Sequence, residues 1–448
     1  MINPRAYVRI ATPVVLVGAG LAAFDFFSAS SAVAKRGLIA DKPPVYGRFE
    51  PGFSRLGIYA LVLVAVGGAG AFLLARRERV RPWTLLLGVC GFALAFSAAV
   101  AVVNGGTHAY TDPFERKRPA DYQQDVHLVR ELGVRGFIRE HPGIVPEFTA
   151  VHSKTHPPGP VVFFSFLQSL FPKNLVARAV VIAALGCLVA IPTWFLTRTF
   201  GGERAATVAA ALIAVAPAPV IFAFTSMDSV FMTMLATVAA LLVWAIHRPE
   251  RSWLALGGGV AAAAAAFFTY AVGFVAGFAV IYAFLALPRG RALKTIALAG
   301  LGAAGMLIAL RATLGFDAFA SYRASFRALP DDNARNYWYW LFGNIAVWLT
   351  FAGVSIAGLS SWEFVRRMPR YLIALYIPLM VANLTRIFPA ETERVGMFAY
   401  PFIAAAAGIA LVRWEDETGG RRPGALAILV VVAALQTILL EALYYNFW

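Results

Sequence analysis

Charge is what this sequence has little of. Lys, Arg, Asp and Glu make up 14% of its 448 residues, where a soluble domain carries about 25%. With 60% hydrophobic residues and a mean hydropathy of +0.69, that deficit excludes an ordinary water-soluble enzyme and any disordered or fibrous chain. Acid is scarcer than base: 24 Asp plus Glu against 39 Lys plus Arg, a net charge of +15. Nucleic acid is not the partner this implies. The cations stand in short clusters between apolar runs, where membrane topology explains them. Cysteine is almost missing, and Cys90 and Cys187 both lie inside apolar runs. They read as buried core residues, not as a disulfide or a metal site. Repeats are absent, and the alanine run 261–266 is the one low-complexity segment.

What is there is a series of apolar runs long enough to cross a bilayer. The runs fall at 8–28, 56–75, 83–103, 175–198, 205–226, 229–246, 252–269, 271–287, 295–313, 339–360, 370–387, 396–413 and 424–443. They predict an all-α, polytopic transmembrane bundle of about thirteen spans, one domain over 1–448. The pair meeting at Thr269 and Tyr270 is rich in Gly and Ala. Every second loop is short and Arg-rich: Arg76, Arg77, Arg79 and Arg81; Arg198 and Arg204; Arg248 and Arg251; Arg289, Arg291 and Lys294; Arg366, Arg367 and Arg370; Arg413, Arg421 and Arg422. The positive-inside rule places these loops and the N-terminus, with Arg5 and Arg9, in the cytoplasm of a multi-pass plasma-membrane protein. Trp448 then lies outside. Ala32-Val33-Ala34 imitates a signal-peptidase site, but an uncleaved signal-anchor suits so many spans better.

The outside loops are 29–55, 104–174 and 314–338. Residues 104–174 hold five of the six histidines: His108, His127, His141, His152 and His156. They also hold Asp112, Glu115, Asp121, Asp125, Glu131, Glu140 and Glu147. A loop this long with helical segments of its own is more often functional than a plain connector. From Asp121 to Leu132 an apolar stripe of Tyr122, Val126 and Val129 predicts a helix on the membrane surface, with Asp121 and Asp125 on another face turned to water. After His156-Pro157-Pro158-Gly159-Pro160 comes the apolar stretch Val161 to Phe171. As a helix of about 11–13 residues it reaches roughly 17–20 Å, short of a hydrocarbon core of about 30 Å. It should lie at the outer interface.

That run, the short helix, Arg178, a span, the turn Arg198-Thr199-Phe200-Gly201-Gly202-Glu203-Arg204, Pro217 and Asp228 together resemble the GT-C membrane glycosyltransferases. The resemblance is to the branch of protein O-mannosyltransferases and aminoarabinose transferases, and it covers about residues 118–246. It implies an extracytoplasmic loop with an acidic catalytic residue at its start, then a His-Pro-Pro or Lys-Pro-Pro run and an Arg-bearing span. Two features depart from that family. The loop follows the third span rather than the first, where Asp41-Lys42-Pro43-Pro44 is a decoy, and the acids Asp121 and Asp125 are one turn apart rather than adjacent.

The resemblance implies a polyprenyl-phosphate sugar as donor, with no cofactor. Transfer needs a base for the acceptor hydroxyl and cations for the departing lipid phosphate. Asp121 or Asp125 is expected as base in an inverting reaction, with Asp112 a more distant candidate. His152, Lys154, His156 and Arg178 are expected at the phosphate, as are Arg386 and Arg394 beside Glu391 and Glu393. Asp228 stands at a span end, where an ionisable group suggests function; with Asp112 and His127 it is a candidate for substrate contact. His127, His152 and His156 lack tight metal-ligand spacing, so no metal is expected. Tyr337, Trp338, Tyr339 and Trp340 resemble an interfacial aromatic belt, with a sugar platform as the alternative. The acceptor would be a hydroxyl of an envelope glycan, lipoglycan or protein on the outer face, and the sugar mannose or a pentose. A transporter or lipid flippase is the alternative, and an accessory membrane protein a third reading. A transporter would carry ionisable groups near mid-depth, and the spans are nearly free of them.

Overall fold

The computed structural model describes residues 4–29, 42, 44–45, 47–77, 80–114, 122–329, 335–387 and 390–445. The chain is helical almost throughout, as a backbone that must satisfy its own hydrogen bonds in lipid requires. Among the described residues the two strands are Arg48–Phe49 and Tyr444–Tyr445, paired antiparallel with Arg48 opposite Tyr445.

The expected class holds; the expected count of thirteen spans is not confirmed. Among the described residues, eight helical segments are long and apolar enough to cross a membrane, nine if one bent pair is counted. Three expected spans, 252–269, 271–287 and 370–387, are helices of 15 residues: Ser252–Ala266, Val272–Ala286 and Arg370–Leu384. Each reaches about 22 Å. The run 339–360 breaks at Gly353, φ 91°, where Tyr337–Ala352 and Val354–Arg367 meet at a 114° bend. Leu175–Ile213 is a 39-residue helical run, broken at Gly202 with φ 83° and ψ 177°. The break falls in the expected Arg198–Arg204 turn.

The chain divides into two compact units. One comprises residues 1–109, 183–236 and 332–447. Its centre is the Met397–Glu417 segment, 89% buried and packed on Ala190–Ile213. Small residues allow that approach, as in membrane bundles generally. Its basic loops are tied to acids: Arg204 pairs with Glu415 and, at 3.0 Å, with Asp416, while Arg413 pairs with Glu363.

The other unit comprises residues 110–182 and 237–331. Here Ser252–Ala266 packs against Arg289–Leu314 almost backbone to backbone. A Cβ on Gly302 would lie 2.1 Å from the Leu256 carbonyl oxygen. Arg289–Leu314 ends at Gly315 in the left-handed region, φ 78°, the usual glycine stop. Asp317 then accepts the Ala320 N–H at 2.9 Å and caps Ala318–Arg327. The segment expected as an outside loop adds Val126–Ile144, Val151–Thr155 and Gly159–Leu170. Gly159–Leu170 has 12 residues, the short helix the sequence predicts.

Candidate active site

In the unit of residues 110–182 and 237–331, the candidate residues gather around one 3-10 turn, Tyr122–Asp125, which leads into the Val126–Ile144 helix. Tyr122, Val126 and Val129 are buried, as the stripe requires. Asp125 is not turned to water as expected: it is fully buried. A 3-10 turn has three residues, so positions i and i+3 eclipse, and Asp125 follows Tyr122 inward. Its Oδ1 accepts the Thr149 N–H at 2.7 Å and its Oδ2 the Ala150 N–H at 3.1 Å. These amides open the Val151–Thr155 helix, and a carboxylate suits such a helix start. Asp125 therefore fixes where His152, Lys154 and His156 begin. Asp121, the other expected base, lies outside the described residues, immediately before Tyr122.

The Tyr122 ring centre is 5.7 Å from His152, 5.7 Å from His156 and 5.8 Å from Phe164. The two imidazoles are 6.2 Å apart. Nδ1 of His156 lies 3.0 Å from the His152 carbonyl and 3.3 Å from Thr155 Oγ1. A proton on Nδ1 answers that carbonyl, which puts the lone pair of the neutral ring on Nε2. The His156 carbonyl accepts Ser325 Oγ at 3.3 Å, and Ser325 Oγ is 3.2 Å from Tyr270 Oη. The glycine of the Pro-Pro-Gly run has a packing reason. Gly159 N–H donates to the Phe267 carbonyl at 3.0 Å, and a Cβ there would stand 2.3 Å from that oxygen.

Arg178 was expected at a phosphate, and its surroundings differ. It is 2% exposed, donating from Nε to the Phe171 carbonyl at 2.9 Å, from Nη2 to the Pro172 carbonyl at 2.8 Å and from Nη1 to Gln123 Oε1 at 2.7 Å. The other end of Gln123 donates to the Phe114 carbonyl at 2.8 Å. Arg178 thus locks the 3-10 turn to the start of its own helix. Sequence reasoning missed Gln123, because a neutral amide carries no charge signal. Lys154 is half-buried, and among the described residues no carboxylate lies within 4 Å of its ammonium. His127 is exposed, its Nδ1 2.9 Å from the Gln124 carbonyl. Asp112 opens the short 3-10 turn Asp112–Phe114. His141 is fully buried between Phe137 and Phe148, with ring centres at 6.3 and 5.5 Å. Burial pushes its pKa down to about 4, against a smaller upward pull from the His156 backbone.

The other unit holds Asp228, Arg386 and Arg394. Arg394 is buried and donates from Nη1 to Asp228 Oδ2 at 2.8 Å and from Nη2 to Glu391 Oε2 at 2.9 Å. Ser226 Oγ donates to the same Asp228 oxygen at 2.6 Å. Arg335 approaches Glu391 at 3.4 Å. Glu391 sits at φ 63°, an uncommon backbone for a side-chain residue. Both Arg394 amino groups are therefore on carboxylates rather than open to a phosphate. Arg386 is exposed, 4.9 Å over the Tyr337 ring.

Residues 155–314 match the model of the dolichyl-phosphate-mannose-protein mannosyltransferase family, which bears out the resemblance seen in the sequence. The match begins one residue before His156-Pro157-Pro158 and leaves Asp121 and Asp125 outside it. No curated protein matches the chain. Two crystal structures of the Archaeoglobus fulgidus oligosaccharyltransferase, one with Zn and sulfate and one apo, are similar at 16% identity and a TM-score of 0.42. They cover 79% and 81% of this chain. The chain spans about half the length of these solved structures, 52% and 56%.

Proposed function

We propose that the chain is a membrane glycosyltransferase that moves mannose or a pentose from a polyprenyl-phosphate donor to a hydroxyl of an envelope glycan, lipoglycan or protein. The reaction runs on the outer face of the plasma membrane. The observation that carries this reading is the Asp125 anchor, which sets His152 and His156 around Tyr122, the residue next to Asp121. Asp121 takes the proton of the acceptor hydroxyl as its oxygen attacks the anomeric carbon. The bond from that carbon to the phosphate oxygen breaks, the linkage inverts, and the lipid phosphate departs with the electron pair. Lys154, with His152 and His156 when protonated, stabilises that phosphate. Asp125, and Arg178 through Gln123, are positioning residues. Asp112 and His127 remain candidates for acceptor contact. Asp228 and Arg394 are assigned to holding their own unit together, and Arg386 is an exposed cation of that same unit.

The test is transfer by purified protein in liposomes, with radiolabelled polyprenyl-phosphate mannose or arabinose and envelope glycan acceptors, read as labelled product. Transfer that persists in EDTA is expected, since one lipid phosphate needs no metal bridge. Absence of transfer from every donor by folded protein overturns the reading.

A further inference from the structure

Within the unit of residues 110–182 and 237–331, a cleft of about 260 Å³ opens where Asp228–His247 ends and where Ser252–Ala266 and Arg289–Leu314 begin. Arg251, Arg291 and Lys294 line it, with Glu250, Ser252 and Thr295. Three cations face one acid. Among the described residues no carboxylate lies within 4 Å of any of the three cations. In the other unit Arg204, Arg366, Arg367 and Arg413 pair with acids. Arg248 does not line the cleft; its guanidinium lies 5.7 Å over the Trp244 ring.

The cleft stands at a membrane face. Arg289–Leu314 has 26 residues, about 39 Å against a hydrocarbon core of about 30 Å. Its cationic first turn therefore reaches the headgroup level. Beside the cleft, Trp253 is 65% and Leu293 57% exposed, and such side chains belong among lipid chains at an interface. The volume falls below the roughly 300–1,000 Å³ of a whole-ligand pocket, which suits a headgroup whose tails remain in the bilayer.

We infer that this cleft binds the phosphodiester headgroup of an anionic phosphoglyceride. Arg251, Arg291 and Lys294 hold the phosphate, helped by the amides at two helix starts. Glu250 and Ser252 take the hydroxyls of a glycerol headgroup. The net positive lining selects against zwitterionic lipid, and the flanking Trp253 and Leu293 favour a lipid over free phosphate.

The full chain in phosphatidylcholine nanodiscs doped with phosphatidylglycerol is the test, with bound lipid read by native mass spectrometry. Wild type should retain phosphatidylglycerol. The triple variant R251A/R291A/K294A should bind it about a hundredfold more weakly, from about 1 kcal/mol per cation. R366A/R367A/R370A, which removes as many cations elsewhere, should not. If the triple variant fails to fold, Lys294→Glu serves, with R251K/R291K keeping the charge and the lipid. Unchanged retention in the alanine or Lys294→Glu variants overturns the site. So does equal retention of phosphatidylcholine or phosphatidylethanolamine, or displacement of the lipid by inorganic phosphate alone.

Discussion

Arg178 and Gln123, 55 residues apart, meet in a 2.7 Å hydrogen bond from Nη1 to Oε1. The bond makes a neutral amide the partner of a buried guanidinium, and it joins the turn before Val126–Ile144 to the helix bearing Arg178. A hydrogen bond to a charged group contributes about 1.5–3 kcal/mol. Gln123→Ala should lower unfolding stability by that order, and Arg178→Ala by more, since it strands two carbonyls as well. A double-mutant cycle in chemical unfolding checks the pair; additive losses would dissolve the coupling.

The two carboxylates expected as base should separate by readout. Asp121→Asn should reduce turnover by about 10²–10⁴, with donor binding and melting temperature retained. In Asp125→Asn, an amide NH₂ meets one of the N–H donors of Thr149 and Ala150. That variant should lose about 1.5–3 kcal/mol of stability, and donor affinity should fall with it. Single-turnover kinetics beside thermal unfolding tell them apart. Wild-type turnover in Asp121→Asn would sink the proposed base.

How much of this was legible in the sequence differs from residue to residue. Apolar run length and the Arg-rich loops gave the helical membrane class. Length was a poor guide where Gly and Ala make up much of a run. At 252–287 the composition cannot tell two full spans from two 15-residue helices around a turn. The apolar stripe at Tyr122, Val126 and Val129 was right, but the face of Asp125 was not, because the 3.6 period does not hold in a 3-10 turn. Mutual pairing of Arg394 with Glu391 was visible as proximity. Its second partner, Asp228, is 166 residues away, and no local pattern carries such a distance.

Arg394→Ala should be severe. It leaves the largely buried Asp228 without its cation and Glu391 with Arg335 alone, and breaking a buried pair costs about 3–5 kcal/mol. Pairing the change with Asp228→Asn should recover part of that loss, measured as the midpoint of denaturant unfolding in detergent.

His141 predicts an acid-sensitive fold. Its folded pKa, about 4, lies below the ordinary 6.5, so the unfolded chain binds the extra proton between those values. The neutral, buried form is fully favourable above about pH 6.5, and its contribution falls as pH drops toward 4. The span is worth at most about 3 kcal/mol. His141→Phe should flatten that part of the stability–pH curve, followed by chemical unfolding at pH 7 and pH 4.5. An unchanged slope would place the acid sensitivity elsewhere.

Two glycines of one helix should answer alanine in opposite directions. Gly302→Ala drives a methyl against the Leu256 carbonyl, an overpacking cost of about 1–3 kcal/mol. Nothing lies within 4 Å of a Cβ at Gly305. There alanine should be neutral or gain about 0.5–1 kcal/mol. Thermal unfolding in one detergent compares them.

The strand pair of Arg48–Phe49 with Tyr444–Tyr445 sets a clock on biosynthesis. Gly52 N–H also waits for the carbonyl of Ala442, 2.8 Å away in the finished protein. At 5–20 residues per second, the ribosome needs roughly 20–80 s to make the chain between the strands. Throughout that interval the first strand is an unpaired edge, open to any extended segment that passes. Arg48 and Glu50 on and beside it, 3.9 Å apart in the folded chain, are charges of the kind that blunt such an edge. A chain truncated before residue 442 would keep an early segment that still seeks its mate.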